Sequence, residues 1–334
     1  MRAVLVEGPE RLRVTAVADP DPSDRALIAL EQVGVCGTDV KILTGGIPVR
    51  YPRILGHELV GSVLRPSARG LVPEGTRVLV DPTITCGHCD LCRRDRAALC
   101  RNGALMGRDV DGGFADYVAV DEGQLHPIPD TIGPQDAALL QVLGTCVHGQ
   151  TLVEVFPGQT ALVVGLGVSG LLHVQLLRAR GVREIIGVTR SEEKRRLAKR
   201  LGASALAHPD QAAQVVAEVT GGHGPDLVVE SAGTVATLAQ AIELAGIAAT
   251  VLVFGTITET EGRLPFYQLY YKELTVVNAR SAQPRDYARA VQLAGDAMLD
   301  LAPLLSATYP VEHAAEAFDA FRTGDLLKVT LEVA

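Results

Sequence analysis

The feature of this sequence that most restricts its fold is a glycine-rich turn between an apolar run and an apolar helix pattern. The run Ala161–Val164 precedes the turn, a helical pattern over Gly170–Arg180 follows it, and the spacing GxGxxG is set by Gly165, Gly167 and Gly170. In this context the glycines permit a tight turn, a close approach of backbone to pyrophosphate, and close packing of helix on strand. The helix N-terminus, with Val168 and Ser169, offers N–H groups to the phosphates. The sequence therefore predicts a dinucleotide site; a glycine turn without a ligand is the alternative.

The same alternation of strand and helix patterns continues as far as residue 279. The predicted strands are Ala161–Val164, Glu184–Val188, Asp226–Glu230, Thr250–Phe254 and Leu274–Val277, and the predicted helices are Gly170–Arg180, Glu192–Leu201, Ala212–Thr220 and Thr237–Ala245. Such alternation is typical of a doubly wound parallel sheet covered by helices, an α/β fold. Residues around Gly233 and Gly255 follow strands, so we expect them to border the nicotinamide half of the dinucleotide.

The rest of the chain lacks this alternation of strand and helix patterns. A length of 334 residues also favours two domains. Short β-like runs mark the first half, at Ala3–Val6, Leu27–Val33, Arg77–Val80 and Asp116–Val120. After residue 279 come helix patterns at Tyr287–Ala294 and His313–Arg322 and a last strand, Lys328–Glu332. We therefore predict a mostly-β catalytic domain over 1–151, to which 280–334 return, and a nucleotide-binding domain over 152–279. The active site is expected in a cleft between them.

The end of the second strand of the predicted sheet favours NADP over NAD. NAD enzymes usually place Asp or Glu here on the ribose 2′-hydroxyl, whereas this chain has Thr189, Arg190 and Ser191. Arg190 can pair with a 2′-phosphate, the two hydroxyls can donate to it, and Lys194 lies one helical turn further on. The alternative is that Arg190 and Lys194 belong to a solvated helix start.

Four closely spaced cysteines predict a structural zinc site. They follow a CxxCxxCx7C spacing, at Cys86, Cys89, Cys92 and Cys100. Four thiolates can close a tetrahedral shell with no open position, which leaves the intervening His88 as a bystander. An iron–sulfur cluster is the alternative, although this spacing differs from the common ferredoxin runs.

A second potential metal site combines Cys36, in the segment Cys36–Asp39, with His57 in the segment Gly56–Glu58. A thiolate and an imidazole on separate loops can ligate one catalytic zinc and leave a position for substrate. Taken singly, either residue type is more often core or surface than ligand.

Together these motifs resemble the medium-chain zinc alcohol and polyol dehydrogenases over nearly the whole chain. The matching segments are Val35–Asp39, Ile54–Glu58, the four-cysteine lobe, Gly112–Tyr117 and Gly165–Gly170. The resemblance implies a GroES-like catalytic domain, a Rossmann domain, hydride transfer between an alcohol and NAD(P), and a homodimer or homotetramer. It also implies that Cys36 and His57 are zinc ligands, that Thr38 takes the alcohol proton, and that Asp39 orients His57.

Three positions depart from the family pattern, and Thr189 at the end of the second predicted strand is one of them. The resemblance places the third zinc ligand, usually Cys or Glu, within Ala138–Gly144, where Gln141 fits best by spacing. An uncharged amide leaves Cys36 as the only anionic ligand, which strengthens the polarisation of a bound alcohol. The resemblance to sugar dehydrogenases of the superfamily that use Gln in this way favours polyol or sugar substrates. Glu58 could exchange onto the metal when substrate or water leaves. Lys41 stands where many relatives have a proton-relaying His, and only a buried, neutral Lys could do the same.

Composition restricts the partners and the cellular location that are expected for this protein. A net charge of −8 offers no basic field for nucleic acid, and the N-terminus has no apolar stretch long enough for a signal peptide or membrane span. A cytoplasmic location is expected, where cysteines serve as metal ligands rather than disulfides. Two rival functions remain: a zinc-free reductase of the same superfamily, and a non-catalytic nucleotide-binding protein.

Overall fold

The computed structural model describes residues 1–333, and the chain divides into two compact units. The β-rich unit comprises residues 1–144, 281–297 and the chain from Leu301 onward, and the parallel-sheet unit comprises residues 145–280 and 298–300.

The elements are numbered in chain order. The strands are β1 Arg2–Gly8, β2 Arg11–Ala16, β3 Ala26–Val35, β4 Arg53–Ile54, β5 Glu58–Arg65, β6 Arg77–Val80, β7 Thr83–Ile84, β8 Ala104–Leu105, β9 Tyr117–Val120, β10 Leu125–Pro127, β11 Thr160–Val164, β12 Glu184–Val188, β13 Ala205–Ala207, β14 Leu227–Glu230, β15 Thr250–Val253, β16 Thr275–Asn278, β17 Leu305–Pro310 and β18 Lys328–Glu332. The α-helices are α1 Gly37–Leu43, α2 Asp90–Arg93, α3 Pro134–Ala137, α4 Leu140–Thr151, α5 Val168–Ala179, α6 Glu192–Arg200, α7 Ala212–Thr220, α8 Val235–Leu244, α9 Phe266–Tyr271, α10 Pro284–Gly295 and α11 Ala314–Arg322.

The β-rich unit is built around the long strand β3. Its main sheet has the order β10-β6-β5-β3-β18-β17, and β9 also pairs with β3. The last strand of the chain, β18, is antiparallel to β3, with Val329 opposite Val35. The alternating apolar residues of these strands form one core that includes Ile28, Leu59 and Val329. The end of β3 is therefore held by chain segments from both ends of the sequence.

The parallel-sheet unit has the strand order β13-β12-β11-β14-β15-β16, with every neighbouring pair parallel. When these six strands are numbered 1 to 6 in chain order, their order across the sheet is 3-2-1-4-5-6, which is that of a dinucleotide-binding sheet. The central strand β11 is buried along its whole length, as expected for a strand covered by helices on both faces. The predicted α/β class is confirmed.

The predicted elements are confirmed, with ends displaced by three residues or fewer. At the starts of α8 and α5, the difference between the predicted and the observed first residue has a local cause. Helix α8 begins at Val235 because the Thr234 side chain accepts a hydrogen bond from the backbone N–H of Thr237, which caps the helix earlier than the apolar pattern indicates. Helix α5 likewise begins directly after Gly167, inside the glycine motif. No helix within residues 1–333 is both long and apolar enough to cross a lipid bilayer.

Candidate active site

Cys36 lies at the junction between β3 and α1, where the chain leaves the sheet. Its backbone is extended, with φ −116° and ψ 155°, and its N–H donates to Oδ2 of Asp39 at 2.9 Å. Asp39 is fully buried, whereas Thr38 and Lys41 on the same helix are half-buried. This tight turn fixes the direction of the Cys36 side chain relative to the strand.

His57 is held by the same carboxylate. Its Nδ1 lies 3.4 Å from Oδ1 of Asp39, which also accepts a hydrogen bond from the N–H of Gly56 at 3.3 Å. Gly56 has φ +93°, and a Cβ there would stand 2.9 Å from the ring of Phe114, so only glycine fits. Burial lowers the pKa of His57, but the negative charges of Asp39 and Cys36 outweigh burial and hold that pKa well above its ordinary value.

Ligand atoms of three residues meet at this point. The sulfur of Cys36, a ring nitrogen of His57 and a carboxylate oxygen of Glu58 all lie within 4.8 Å of one another. Ligands at about 2.0–2.3 Å from one zinc ion lie within roughly 4.6 Å of each other, which is the scale of this cluster. Thiolate, imidazole and carboxylate are also the ligand types that zinc prefers, so the residues fit a zinc ion.

The carboxylate of Glu58 has a partner that sequence reasoning missed. Nζ of Lys328 lies 2.6 Å from its Oε2, and both side chains are buried. Lys328 is 270 residues away in sequence. The available signal was a lysine flanked by Leu327 and Val329 in the terminal strand, where a buried charge needs a partner.

Gln141 lies at the start of α4 and is buried. Its Nε2 donates to the hydroxyl of Tyr287 at 3.3 Å, and Tyr287 is fully buried. Burial raises the pKa of Tyr287 well above its ordinary value, so the phenol stays neutral. A Cβ at Gly144 would stand 2.4 Å from the Tyr287 ring, so this glycine makes room for it. Sequence reasoning also missed Tyr287, whose pattern is that of an ordinary core residue.

The four predicted cysteines form a separate cluster. The sulfur atoms of Cys86, Cys89, Cys92 and Cys100 lie within 4.8 Å of one another, with separations of 3.5 Å for Cys89–Cys92, 3.9 Å for Cys89–Cys100 and 3.4 Å for Cys86–Cys100. Thiolates tetrahedrally arranged around zinc stand about 3.8 Å apart, whereas disulfide sulfurs stand about 2.05 Å apart. Backbone N–H groups of Cys92 and Arg101 lower the pKa of Cys89 to about 6, whereas desolvation and the neighbouring sulfurs of Cys89 and Cys100 raise the pKa of Cys92 to about 12. The geometry therefore suits four thiolates around one ion.

The glycine turn of the parallel-sheet unit has the steric properties that the motif requires. Gly165 has φ +92°, and a Cβ at Gly170 would stand 1.9 Å from the carbonyl oxygen of Gly165. A Cβ at Gly167, by contrast, would meet nothing within 4 Å, and Gly167 is the N-cap of α5, with Val168, Ser169 and Gly170 in the first turn. The N–H groups at this helix end are thus approachable from outside.

The loops after β14 and β15 interlock at the carboxyl edge of the sheet. Oε1 of the buried Glu230 accepts hydrogen bonds from the N–H groups of Ala232 at 2.9 Å and Gly233 at 2.8 Å. A Cβ at Gly255 would stand 2.3 Å from the nitrogen of Gly233, so the two loops pack backbone against backbone. Glycine at positions 233 and 255 therefore allows the backbones of these two loops to approach each other closely.

The predicted ribose-end residues follow β12. Ser191 caps α6 by accepting from the N–H of Lys194 at 3.3 Å, and Arg190 is exposed. A third cation, Arg195, donates to the carbonyls of Thr189 at 2.6 Å and Arg190 at 3.0 Å. Arg195 therefore braces the turn that carries Arg190, a role that spacing alone did not reveal.

Comparison with known proteins gives the same assignment in both parts of the chain. Residues 22–130 match the model of the alcohol dehydrogenase GroES-like domain, and residues 169–296 match that of the zinc-binding dehydrogenases. L-threonine 3-dehydrogenase of Bacillus subtilis is 30% identical over 91% of this chain and 90% of its own length. Sorbitol dehydrogenase of Halalkalibacterium halodurans is 28% identical over 94% of this chain and 93% of its own length.

Solved structures agree with these relatives. A zinc-binding dehydrogenase of Sinorhizobium meliloti, bound to NADP, is 33% identical with a TM-score of 0.93, over 99% of each chain. Alcohol dehydrogenase TADH of a Thermus species is 28% identical with a TM-score of 0.93, over 100% of each chain. With its GroES-like and zinc-binding dehydrogenase domains, the chain belongs to the zinc-dependent medium-chain dehydrogenase/reductase family.

Proposed function

We propose that this protein oxidises a secondary alcohol, with polyols and sugars favoured, and transfers the hydride to NADP in preference to NAD. The observation that carries the proposal is the meeting of Cys36, His57 and Glu58 within 4.8 Å, in a chain that also has the dinucleotide turn. In this proposal residues 1–151 and 280–334 form the catalytic domain, and residues 152–279 bind the dinucleotide. Two zinc ions are bound per chain, one of them in the four-cysteine lobe.

The catalytic zinc would be held by Cys36, His57 and Gln141. When bound, zinc supplies Lewis-acid polarisation of the alcohol oxygen. The hydroxyl of Thr38 would take the alcohol proton and release its own as the carbon gives its hydride to C4 of the nicotinamide. Lys41, one turn later on α1 and half-buried, could pass a proton towards solvent only with its amine neutral. Asp39 keeps the imidazole of His57 oriented.

Gln141 supports a polyol or sugar substrate. Tyr287 engages its amide nitrogen, which leaves the amide oxygen as the atom suited to a cation. A neutral third ligand leaves the ion more electrophilic than a second thiolate would. The name of the sorbitol dehydrogenase relative and the low aromatic content of 4% point the same way.

The turn after β12 supports a preference for NADP over NAD. Arg190 is exposed, so its guanidinium is available to a 2′-phosphate, and Arg195 holds the carbonyl of that residue. Ser191 and Thr189 add hydroxyl groups at the same turn, which carries no carboxylate ahead of Glu192.

We also infer that two copies of the chain associate through the edge of the parallel sheet. Strand β16 is the outermost strand and is largely exposed, and the preceding helix α9 exposes Phe266, Tyr267, Tyr270 and Tyr271, with Tyr270 at 82%. An unpaired strand edge beside an exposed aromatic patch suits pairing with the same edge of a second copy. A homodimer is the smallest assembly that covers this surface, and a homotetramer can contain it.

The reaction is tested with purified protein, a panel of polyols, sugars and simple alcohols, and NADP. We expect reduction of NADP with polyhydroxylated substrates and two zinc ions per chain by metal analysis. Cys36→Ser should abolish turnover, and Gln141→Ala should lower zinc affinity about 10- to 100-fold at the catalytic site only. Cys146→Ser is the control for the effect of thiol removal on zinc content, because Cys146 is a buried cysteine that belongs to neither cluster. Two tightly held zinc ions in Gln141→Ala would refute ligation by Gln141.

Cofactor preference is measured as kcat/KM for NADP and for NAD. We expect Arg190→Ala to lower the NADP value about tenfold or more and to leave the NAD value nearly unchanged, because only NADP loses a charged partner. Arg196→Ala is the matched control, since Arg196 lies on α6, directly after the turn that carries Arg190, and pairs with Glu192. A tenfold preference of the unmodified enzyme for NAD would contradict the assignment.

Association is measured by light scattering and sedimentation. The natural chain should be a dimer or tetramer, and Val276→Lys combined with Tyr270→Glu should dissociate it at that edge by placing charges in the apolar contact. Phe156→Glu, at another exposed aromatic residue of the parallel-sheet unit, should leave the assembly intact. A monomeric natural chain, or a double variant that associates unchanged, would rule out this interface.

A further inference from the structure

The ammonium of Lys328 lies between the cluster ligand Glu58 and the chain segment that carries Cys36. Nζ is 2.6 Å from Oε2 of Glu58 and also donates to the carbonyl of Val35 at 3.2 Å. The side chains of Lys328 and Glu58 are only 4% and 2% exposed. Because water is excluded, the two charges depend on each other and on the groups immediately around them.

The position of Glu58 is also restricted by Gly34. A Cβ at Gly34 would stand 2.2 Å from Oε2 of Glu58 and 3.0 Å from its Cβ, so the carboxylate fills the space that a larger residue would need. Gly34 and Glu58 are paired across strands β3 and β5. The backbone at Gly34 and the ammonium of Lys328 therefore both restrict the position of the carboxylate.

This arrangement matters because Glu58 is close enough to compete for the catalytic metal. Its carboxylate lies within 4.8 Å of the Cys36 sulfur and the His57 ring. A carboxylate that bound the ion would add a second negative charge and weaken its action on an alcohol. An ammonium bound to the same carboxylate competes with the ion and offsets that charge.

We propose that Lys328 is a positioning residue that restrains Glu58 beside the metal centre and prevents it from becoming a permanent zinc ligand. The inference rests on the proposed function, because it requires zinc at Cys36 and His57. Lys328 thereby preserves the electrophilic charge of the site, with Glu58 beside the ion rather than bound to it.

The test measures zinc release to a colorimetric chelator, with zinc of the four-cysteine lobe as the internal reference. In Lys328→Met the freed carboxylate should bind the ion, so release from the catalytic site should slow about tenfold or more. Lys328→Arg retains the charge and should release zinc at about the natural rate. Glu58→Gln combined with Lys328→Met should return release to within about twofold of the natural chain.

A second readout uses the catalytic site loaded with Co²⁺, whose visible absorption responds to its ligands. Lys328→Met should change the spectrum, and the double variant should restore it. Glu58→Gln alone should release zinc at nearly the natural rate and preserve the spectrum, and it tests the idea even if Lys328→Met does not fold.

The two levels of the proposal fail in different ways. A natural chain that holds zinc only in the four-cysteine lobe would refute the proposed function itself. If zinc is held at Cys36 and His57, the inference alone is overturned by an unchanged release rate in Lys328→Met, by slow release that persists in the double variant, or by release about tenfold faster in Glu58→Gln.

Discussion

The candidate metal centre depends on one buried carboxylate. Asp39 accepts hydrogen bonds from the N–H groups of Cys36 and Gly56 and lies beside Nδ1 of His57. Because Cys36 and His57 belong to separate segments, a single carboxylate fixes the separation of the sulfur and the imidazole. Leaving buried donors without a partner costs about 1–3 kcal/mol each, so the arrangement resists distortion. The geometry of the cluster is therefore set by contacts within the fold.

The parallel-sheet unit also has a buried carboxylate that binds loop backbone, at the carboxyl edge of its sheet. Glu230 is buried at the end of β14, and its Oε1 engages the N–H groups of the following loop and the hydroxyl of Thr237. This carboxylate holds the loop against the glycine turn after β15. In both units a buried acidic side chain ties loop backbone to the sheet, and approachable groups are left at the surface of those loops.

Sequence reasoning succeeded where a chemical requirement is local. The GxGxxG turn was predictable because each glycine answers a nearby steric demand, such as the contact between Gly170 and the carbonyl of Gly165. The four-cysteine lobe was predictable because its ligands lie within one loop. Continuous apolar runs likewise located the inner strands β11, β12, β14 and β15 of the parallel sheet, since those strands are buried on both faces.

The contacts that sequence reasoning missed join distant segments or use residues with no distinctive pattern. Lys328 meets Glu58 only because β18 pairs with β3, and a single sequence does not specify that pairing. Tyr287 looks like a core aromatic residue, and its role depends on where its hydroxyl meets Gln141. Arg195 lies among several cations of α6, and only its bonds to the carbonyls of Thr189 and Arg190 distinguish it.

The central claim is that Cys36 and His57 bind a zinc ion distinct from the one in the four-cysteine lobe. Anomalous diffraction from crystals of the zinc-loaded protein, recorded on both sides of the zinc absorption edge, tests it most directly. The account predicts one anomalous peak among the four cysteine sulfurs and a second bonded to the Cys36 sulfur and the His57 ring. A peak in the lobe alone, with nothing between Cys36 and His57, would contradict it.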